Sequence, residues 1–216
     1  HVAYRDLFHE YEKIKVPSLG TLAAYANRDS LSYKSYYGLE KVKTMLRATF
    51  RFEEFCIGWN SVIRLGLTSE QDHYDVEGLT YNAWFLKVTE SIAGKTPFEK
   101  IMNVTQKEQV LVINLIQWLG LFEDELIPLQ GLVSSADILL QRIEEKWKME
   151  EHDKDMIVMH HEFEYARKNI ETKLSSTLIV TGEDKTYTAM AKTVGLPMAI
   201  FAKLFLTGKI KNLVGV

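Results

Sequence analysis

Residues 44–52 read TMLRATFRF. Leu46, Ala48, Phe50 and Phe52 alternate with Met45, Arg47, Thr49 and Arg51, and a period of two marks a strand with one apolar face. The same period returns over DMIVMHHEFEYA (155–166) and TKLSSTLIVTG (172–182), which predicts two long antiparallel strands around the charged connection RKNIE (167–171). Between these strands the apolar spacing is helical. The chain therefore reads as α+β: a small mixed or antiparallel sheet with flanking helices, split by an all-helical insertion.

Elsewhere the pattern is less regular. Residues 1–16 carry Val2, Leu7, Phe8, Tyr11 and Ile14 at a spacing that predicts an amphipathic helix. PSLGTLAAYA (17–26) predicts a turn and a short strand. Asp29 or Ser30 caps a short helix over 31–37, stopped by Gly38. Residues 53–66 form a helix with Phe55, Trp59, Val62 and Ile63 inward, ended by Gly66. The polar stretch 67–77 is a break. Four helices follow in 78–150, the third opened by a Thr105–Glu108 capping box and the fourth with Ile138, Leu139, Ile143 and Trp147 on one side. After 184 comes a helical segment that Pro197 kinks or restarts and Gly208 closes. The expected division is 1–77 and 151–183 as two parts of one domain, 78–150 as the insertion, and 184–216 as a helical segment apart.

The 216 residues are 46% hydrophobic and 25% charged, with a net charge of −3. That is the balance of a globular protein, without the basic field that draws nucleic acid or an anionic membrane. The longest uncharged apolar run, 110–122, is too short to cross a bilayer, so no membrane partner is expected. Cys56 is the single cysteine, which excludes an internal disulfide and fits a cytoplasmic location. The chain starts at His1 and stops after an apolar helix, which reads as a piece of a longer protein.

Three features carry chemistry. Arg47, Thr49 and Arg51 would project from one strand face, and a guanidinium fork binds carboxylates through two parallel hydrogen bonds. The plainer reading is a water-facing sheet side that arginines keep soluble. In ANRDS (26–30), turn and cap formation accounts for Asn27, Asp29 and Ser30 but leaves Arg28 over. His160 and His161 are strand neighbours pointing to opposite faces, so they do not make a metal pair, and no metal is expected. No Gly-x-Gly-x-x-Gly follows a strand anywhere. By spacing alone the chain offers an anion-binding strand face and no catalytic constellation.

Five stretches, in order, carry a resemblance: YANRDSLSYKSYYG (25–38), TMLRATFRFEEFC (44–56), WLGLFEDE (118–125), KDMIVMHHEF (154–163) and TAMAKTVGLPMAIFAKLFLTGKI (188–210). Together they resemble the later part of the glutamate-forming saccharopine dehydrogenases, also called saccharopine reductases. The resemblance implies a Rossmann half on the N-terminal side, a substrate domain interrupting it, a helical subdomain within that, and last helices that pack on the Rossmann half. It implies an NADP-linked oxidoreductase, with NAD as the alternative, which reduces the imine of glutamate and aminoadipate semialdehyde to saccharopine in lysine metabolism, or runs the reverse. Saccharopine has three carboxylates, so fixed arginines have a use.

Carried onto this sequence, the family's substrate contacts are Arg28, Thr49, Phe50 and Arg51, with Asn27 and Arg47 in support. The cofactor fingerprint and the acid/base group would lie before His1, leaving no catalytic residue in this chain and none of the activity in it alone. Ala26, Ala48, Phe50 and Glu54 depart from the family pattern and leave the substrate open. A carboxynorspermidine dehydrogenase-like enzyme of polyamine synthesis is one alternative. A non-catalytic binding or dimerisation module is another, with the 155–182 hairpin pairing across a homodimer.

Overall fold

In the computed structural model, residues 2–105 and 108–210 are described. The chain divides into two compact units. The first holds the residues up to Ile14, Leu22–Ala26 and Ala48–Lys148; the second holds Lys15–Thr21, Asn27–Arg47 and the residues from Met149 on.

In the first unit, β2 (Gly20–Ala26) pairs antiparallel with β3 (Ala48–Arg51), in a sheet of order β1-β2-β3. The strand β1 (Tyr11–Val16) stands where a helix was expected. Among the described residues before it, a 3-10 turn forms at Tyr4–Asp6. The helical spacing of 7, 8, 11 and 14 was misleading because pairing with β2 claims the segment, and tertiary context overrides a weak local period. β3 is also shorter than its alternation suggests: Leu46 is 67% exposed, and Phe52, 54% exposed, is already the N-cap of α2 (Glu53–Arg64).

The face assignment of β3 is reversed as well. Thr49 lies opposite Tyr25, and Arg51 opposite Ala23. Residues directly opposite in an antiparallel pair share a face. Ala23 and Tyr25 pack with Phe8 and Cys56, so the Thr49–Arg51 side is the one turned to α2. Ala48, expected inside, is exposed. Aromatic packing of Phe8, Tyr25 and Phe55 holds α2 on this face.

The larger core lies among α2, α3 (Tyr81–Val88), α4 (Pro97–Val104), α5 (Gln109–Trp118) and α6 (Ser135–Lys146). Trp84, Tyr81, Phe85, Leu67, Leu121 and Ile138 are wholly buried there. Two capping boxes start helices: Thr96 with Glu99 on α4, which also has Pro97 at its first position, and Ser134 with Asp137 on α6. The expected Thr105–Glu108 box does not form. Thr105 ends α4 and its hydroxyl meets that of Ser61 at 3.5 Å, while Glu108, at φ 56°, is the N-cap of α5. The polar break contains β4 (His73–Asp75), which pairs with β5 (Leu132–Ser134), so among the described residues the stretch 78–150 holds four helices and one short strand. Trp147, placed by the helical spacing on one side with Ile138, Leu139 and Ile143, is 49% exposed.

In the second unit, β6 (Met156–Arg167) and β7 (Ile170–Thr181) form the expected hairpin. Lys168 and Asn169, at φ 51° and 64°, make a two-residue turn whose twist suits right-handed strands. Met159, Leu178, Phe163 and Leu174 share one side, whereas His160, Thr177, Glu162 and Ser175 share the other. α7 (Ala189–Leu206) runs through Pro197 as one helix and Gly208 follows it at φ 67°. It is long and apolar enough to cross a membrane by length and composition, yet carries Lys192 and Lys203.

Candidate functional site

In the first unit, β3 delivers Thr49, Phe50 and Arg51 in succession. The Arg51 guanidinium stands 5.4 Å from the centre of the Phe55 ring, one helical turn into α2. It also donates to the Phe50 carbonyl oxygen at 2.8 Å. The side chain is exposed, held from two directions, and has no carboxylate partner among the described residues. A cation fixed in this way can grip an incoming carboxylate without first breaking an ion pair.

Beside it the charges are matched. Glu53, the first residue of α2, accepts from the Tyr11 hydroxyl at 2.8 Å and from the Lys13 ammonium at 2.7 Å. Those two bonds hold its carboxyl below the usual range. Burial, then the bond to Glu53, pushes Tyr11 up to about 12. Burial likewise pushes the Cys56 thiol up to about 11, against the pull of Arg51, so Cys56 is an inert core thiol, not a nucleophile.

In the second unit, Asn27 and Arg47 face each other, with the Asn27 amide donating to the Arg47 carbonyl at 3.1 Å. Arg28 follows at φ 56°, a left-handed conformation that a non-glycine residue adopts at a cost. The Asp29 carboxylate accepts from the Leu31 amide at 2.8 Å, so it is occupied by the turn and not by Arg28. Arg28 and Arg47 are exposed and lack a carboxylate partner among the described residues. The structure thus groups Thr49, Phe50 and Arg51 in one unit, and Asn27, Arg28 and Arg47 in the other.

The histidines behave as strand neighbours must. The His160 ring bonds to the Thr177 hydroxyl at 2.7 Å and to Glu162 at 3.2 Å, while His161 stacks on Phe163. No group of three His, Cys, Asp or Glu among the described residues could hold a metal ion.

Sequence reasoning missed Arg142 and Asp155. Arg142 is 1% exposed. It donates to the Leu119 carbonyl at 2.7 Å, pairs with Glu125 and Glu145 at 2.9 Å each, and lies 4.5 Å over the Tyr81 ring. Burial alone would lower its pKa, but the glutamates outweigh burial and raise it. The only available signal was a charge inside the apolar run of α6, next to Leu139 and Ile143. The other is Asp155, at the foot of the hairpin, which the sequence reading placed only as the first residue of a strand.

The chain belongs to the saccharopine dehydrogenase C-terminal domain family, whose sequence model matches residues 1–216. It is 32% identical over 205 residues to the mitochondrial alpha-aminoadipic semialdehyde synthase of Mus musculus, covering 90% of this chain and 22% of that protein. It is 30% identical over 199 residues to the NADP(+), L-glutamate-forming saccharopine dehydrogenase of Saccharomyces cerevisiae, covering 87% of this chain and 44% of that one. The apo structure of the histidine-tagged yeast saccharopine dehydrogenase (L-Glu forming) superposes with a TM-score of 0.84 at 26% identity, over 100% of this chain and 49% of that chain. The chain therefore spans less than half the length of these relatives.

Proposed function

We propose that this chain is the substrate-gripping part of an NADP-dependent saccharopine dehydrogenase-like oxidoreductase, one that reduces the imine of glutamate and aminoadipate semialdehyde or runs the reverse. The observation that carries the reading is Arg51. It is a strand arginine held by Phe55 and the Phe50 carbonyl, with no carboxylate partner among the described residues, at the position the family uses for substrate. Arg28 supports it, because backbone strain at an exposed arginine is better explained by a ligand than by solubility. In the first unit Arg51 is the carboxylate grip, with Thr49 and the Phe50 backbone beside it; in the second, Arg28 is a further cation for a carboxylate, and Asn27 and Arg47 hold its loop. The expected domain division, the absence of nucleic-acid or membrane partners and a cytoplasmic setting belong to the same reading, in which α7 docks on protein.

The residues present do not fit a dinucleotide. No strand leads through a Gly-x-Gly-x-x-Gly turn into a helix, so nothing cradles a pyrophosphate. Hydride transfer then belongs to the rest of the parent polypeptide, and this chain contributes binding and orientation. The test is NADPH consumption by the full-length protein with glutamate plus aminoadipate semialdehyde, and with a polyamine aldehyde in parallel. Turnover with the first pair supports the reading. Turnover with the second alone, or with neither, removes it.

A further inference from the structure

Hairpin and α7 meet at one carboxylate. Asp155, just before β6, accepts from the Ala189 amide at 2.6 Å through Oδ1 and from the Met190 amide at 2.8 Å through Oδ2. These are the first two amides of α7, which have no carbonyl partner within the helix. The Thr188 hydroxyl serves the next, Ala191, at 3.0 Å. The Asp155 carbonyl in turn accepts from the Gly182 amide at 2.8 Å, one rung past the Met156–Thr181 pair.

This junction is the tightest point of its region. Gly182 and Ala189 are the two buried residues among those described from 149 to 210. A Cβ at Gly182 would strike Asp155 Oδ1, the Ala189 nitrogen at 2.9 Å and the Thr188 Cα at 3.1 Å. Thr188 alone suffices to start a helix. A second capping group from 34 residues upstream is redundant for starting α7, but it fixes where α7 points.

The direction matters because of what α7 displays. Met198 is 69% exposed, Ile200 55% and Phe205 54%. Apolar side chains at that exposure along a whole helix need a cover. The chain spans 49% of the yeast enzyme, which leaves a comparable length of polypeptide to provide one.

We propose that Asp155 is a positioning residue: it latches α7 to the hairpin and so aims the apolar surface of α7 at the remaining half of the parent polypeptide. The identity of that half as a cofactor domain rests on the function proposed above; the latch itself does not. Other charges stand near. Asp184 accepts from the Thr186 and Tyr187 amides, Glu183 pairs with Lys192, and Lys154 precedes Asp155 in the chain. None of them takes the Ala189 or Met190 amide.

Amide hydrogen exchange on the full-length protein tests this, with Asp155→Ala, Asp155→Asn and Gly182→Ala. Asp155→Ala should speed exchange at Ala189 and Met190 by about tenfold or more and leave Glu162–Glu164, at the far end of the hairpin, unchanged. Asp155→Asn, with one accepting oxygen left, should fall between. Gly182→Ala should reproduce the local effect with the carboxylate intact. In the same variants the KM for NADPH should rise several-fold while the KM for the imine substrates holds. Exchange that is unmoved, or faster everywhere alike, overturns the latch. If the full-length protein turns over no imine, exchange still decides the latch. If exchange moves as expected but KM for NADPH does not, the aiming role falls.

Discussion

The helical core of the first unit and the hairpin with α7 in the second are both rich in apolar residues, and they treat them oppositely. Around Trp84, the side chains of Tyr81, Phe85, Ile101, Ile116 and Ile138 are at most 1% exposed. On the hairpin and α7, Phe163, Leu174, Phe201 and Phe205 are each about half exposed. The first region closes on itself, and even its buried Arg142 finds Glu125, Glu145 and the Leu119 carbonyl. The second presents amphipathic surface held in shape by turns and one carboxylate. Hydrophobicity alone does not separate the two. The difference is whether the helices are short enough, and connected closely enough, to cover one another.

Four variants would break or sharpen that contrast. The largest effect is expected from Arg142→Ala, which strips the Leu119 carbonyl of its donor and opens a hole over Tyr81. A loss of about 3 kcal/mol in urea unfolding followed by circular dichroism is expected. A loss below about 0.5 kcal/mol would show that the first region is not organised around it.

Arg51→Ala should barely move stability, since the side chain is exposed. In the full-length protein it should raise the KM for the carboxylate substrate about 10- to 150-fold, for about 1.5–3 kcal/mol of lost charge-assisted contact. An unchanged KM would remove Arg51 from the site. Arg28→Gly relieves a left-handed backbone and should stabilise the protein by about 0.5–1 kcal/mol while weakening substrate binding. If binding is unaffected, the strain serves the loop alone.

The smallest effect is Glu53→Gln. The Glu53 carboxyl is held below its ordinary 4.5, so its contribution is present above that pH and lost as pH falls through the lower, folded value. The Gln variant should be slightly less stable at neutral pH and match the parent at the acid end, so that this part of the acid limb flattens; an acid limb identical to the parent's would show that the Lys13 and Tyr11 bonds carry no linkage.

Much of the layout was legible because periods are long-range in their consistency. Twenty-four strand residues around Lys168–Asn169 declared the hairpin. The failures were short and local. Tyr11–Val16 has too few residues for its period to be decided, and its partner strand decided it instead. The four residues of β3 show alternation but not which side meets α2; the register against Ala23 and Tyr25 settles that. Arg51 was singled out for projecting from a polar face, yet it lies on the packed one, reaching past Phe55 to the outside. Arg142 and Asp155 were invisible for a different reason: a polar side chain that closes several backbone groups at once is defined by partners remote in sequence, and nothing in its neighbours announces them.

Trp59, Trp84, Trp118 and Trp147 are all four tryptophans of the chain, and all lie in the first unit. Trp59 is stacked parallel to Phe55 and within 6.0 Å of Trp147, and Trp84 is sealed in the core. Excitation at the red edge of the protein spectrum therefore interrogates one unit and is blind to the other. An unfolding curve read from indole emission reports the helical core, whereas the hairpin and α7 register only through tyrosines such as Tyr165 and Tyr187. Five of the ten tyrosines lie in each unit, so a tyrosine curve that departs from the indole curve in one titration would show the two units melting apart without a label.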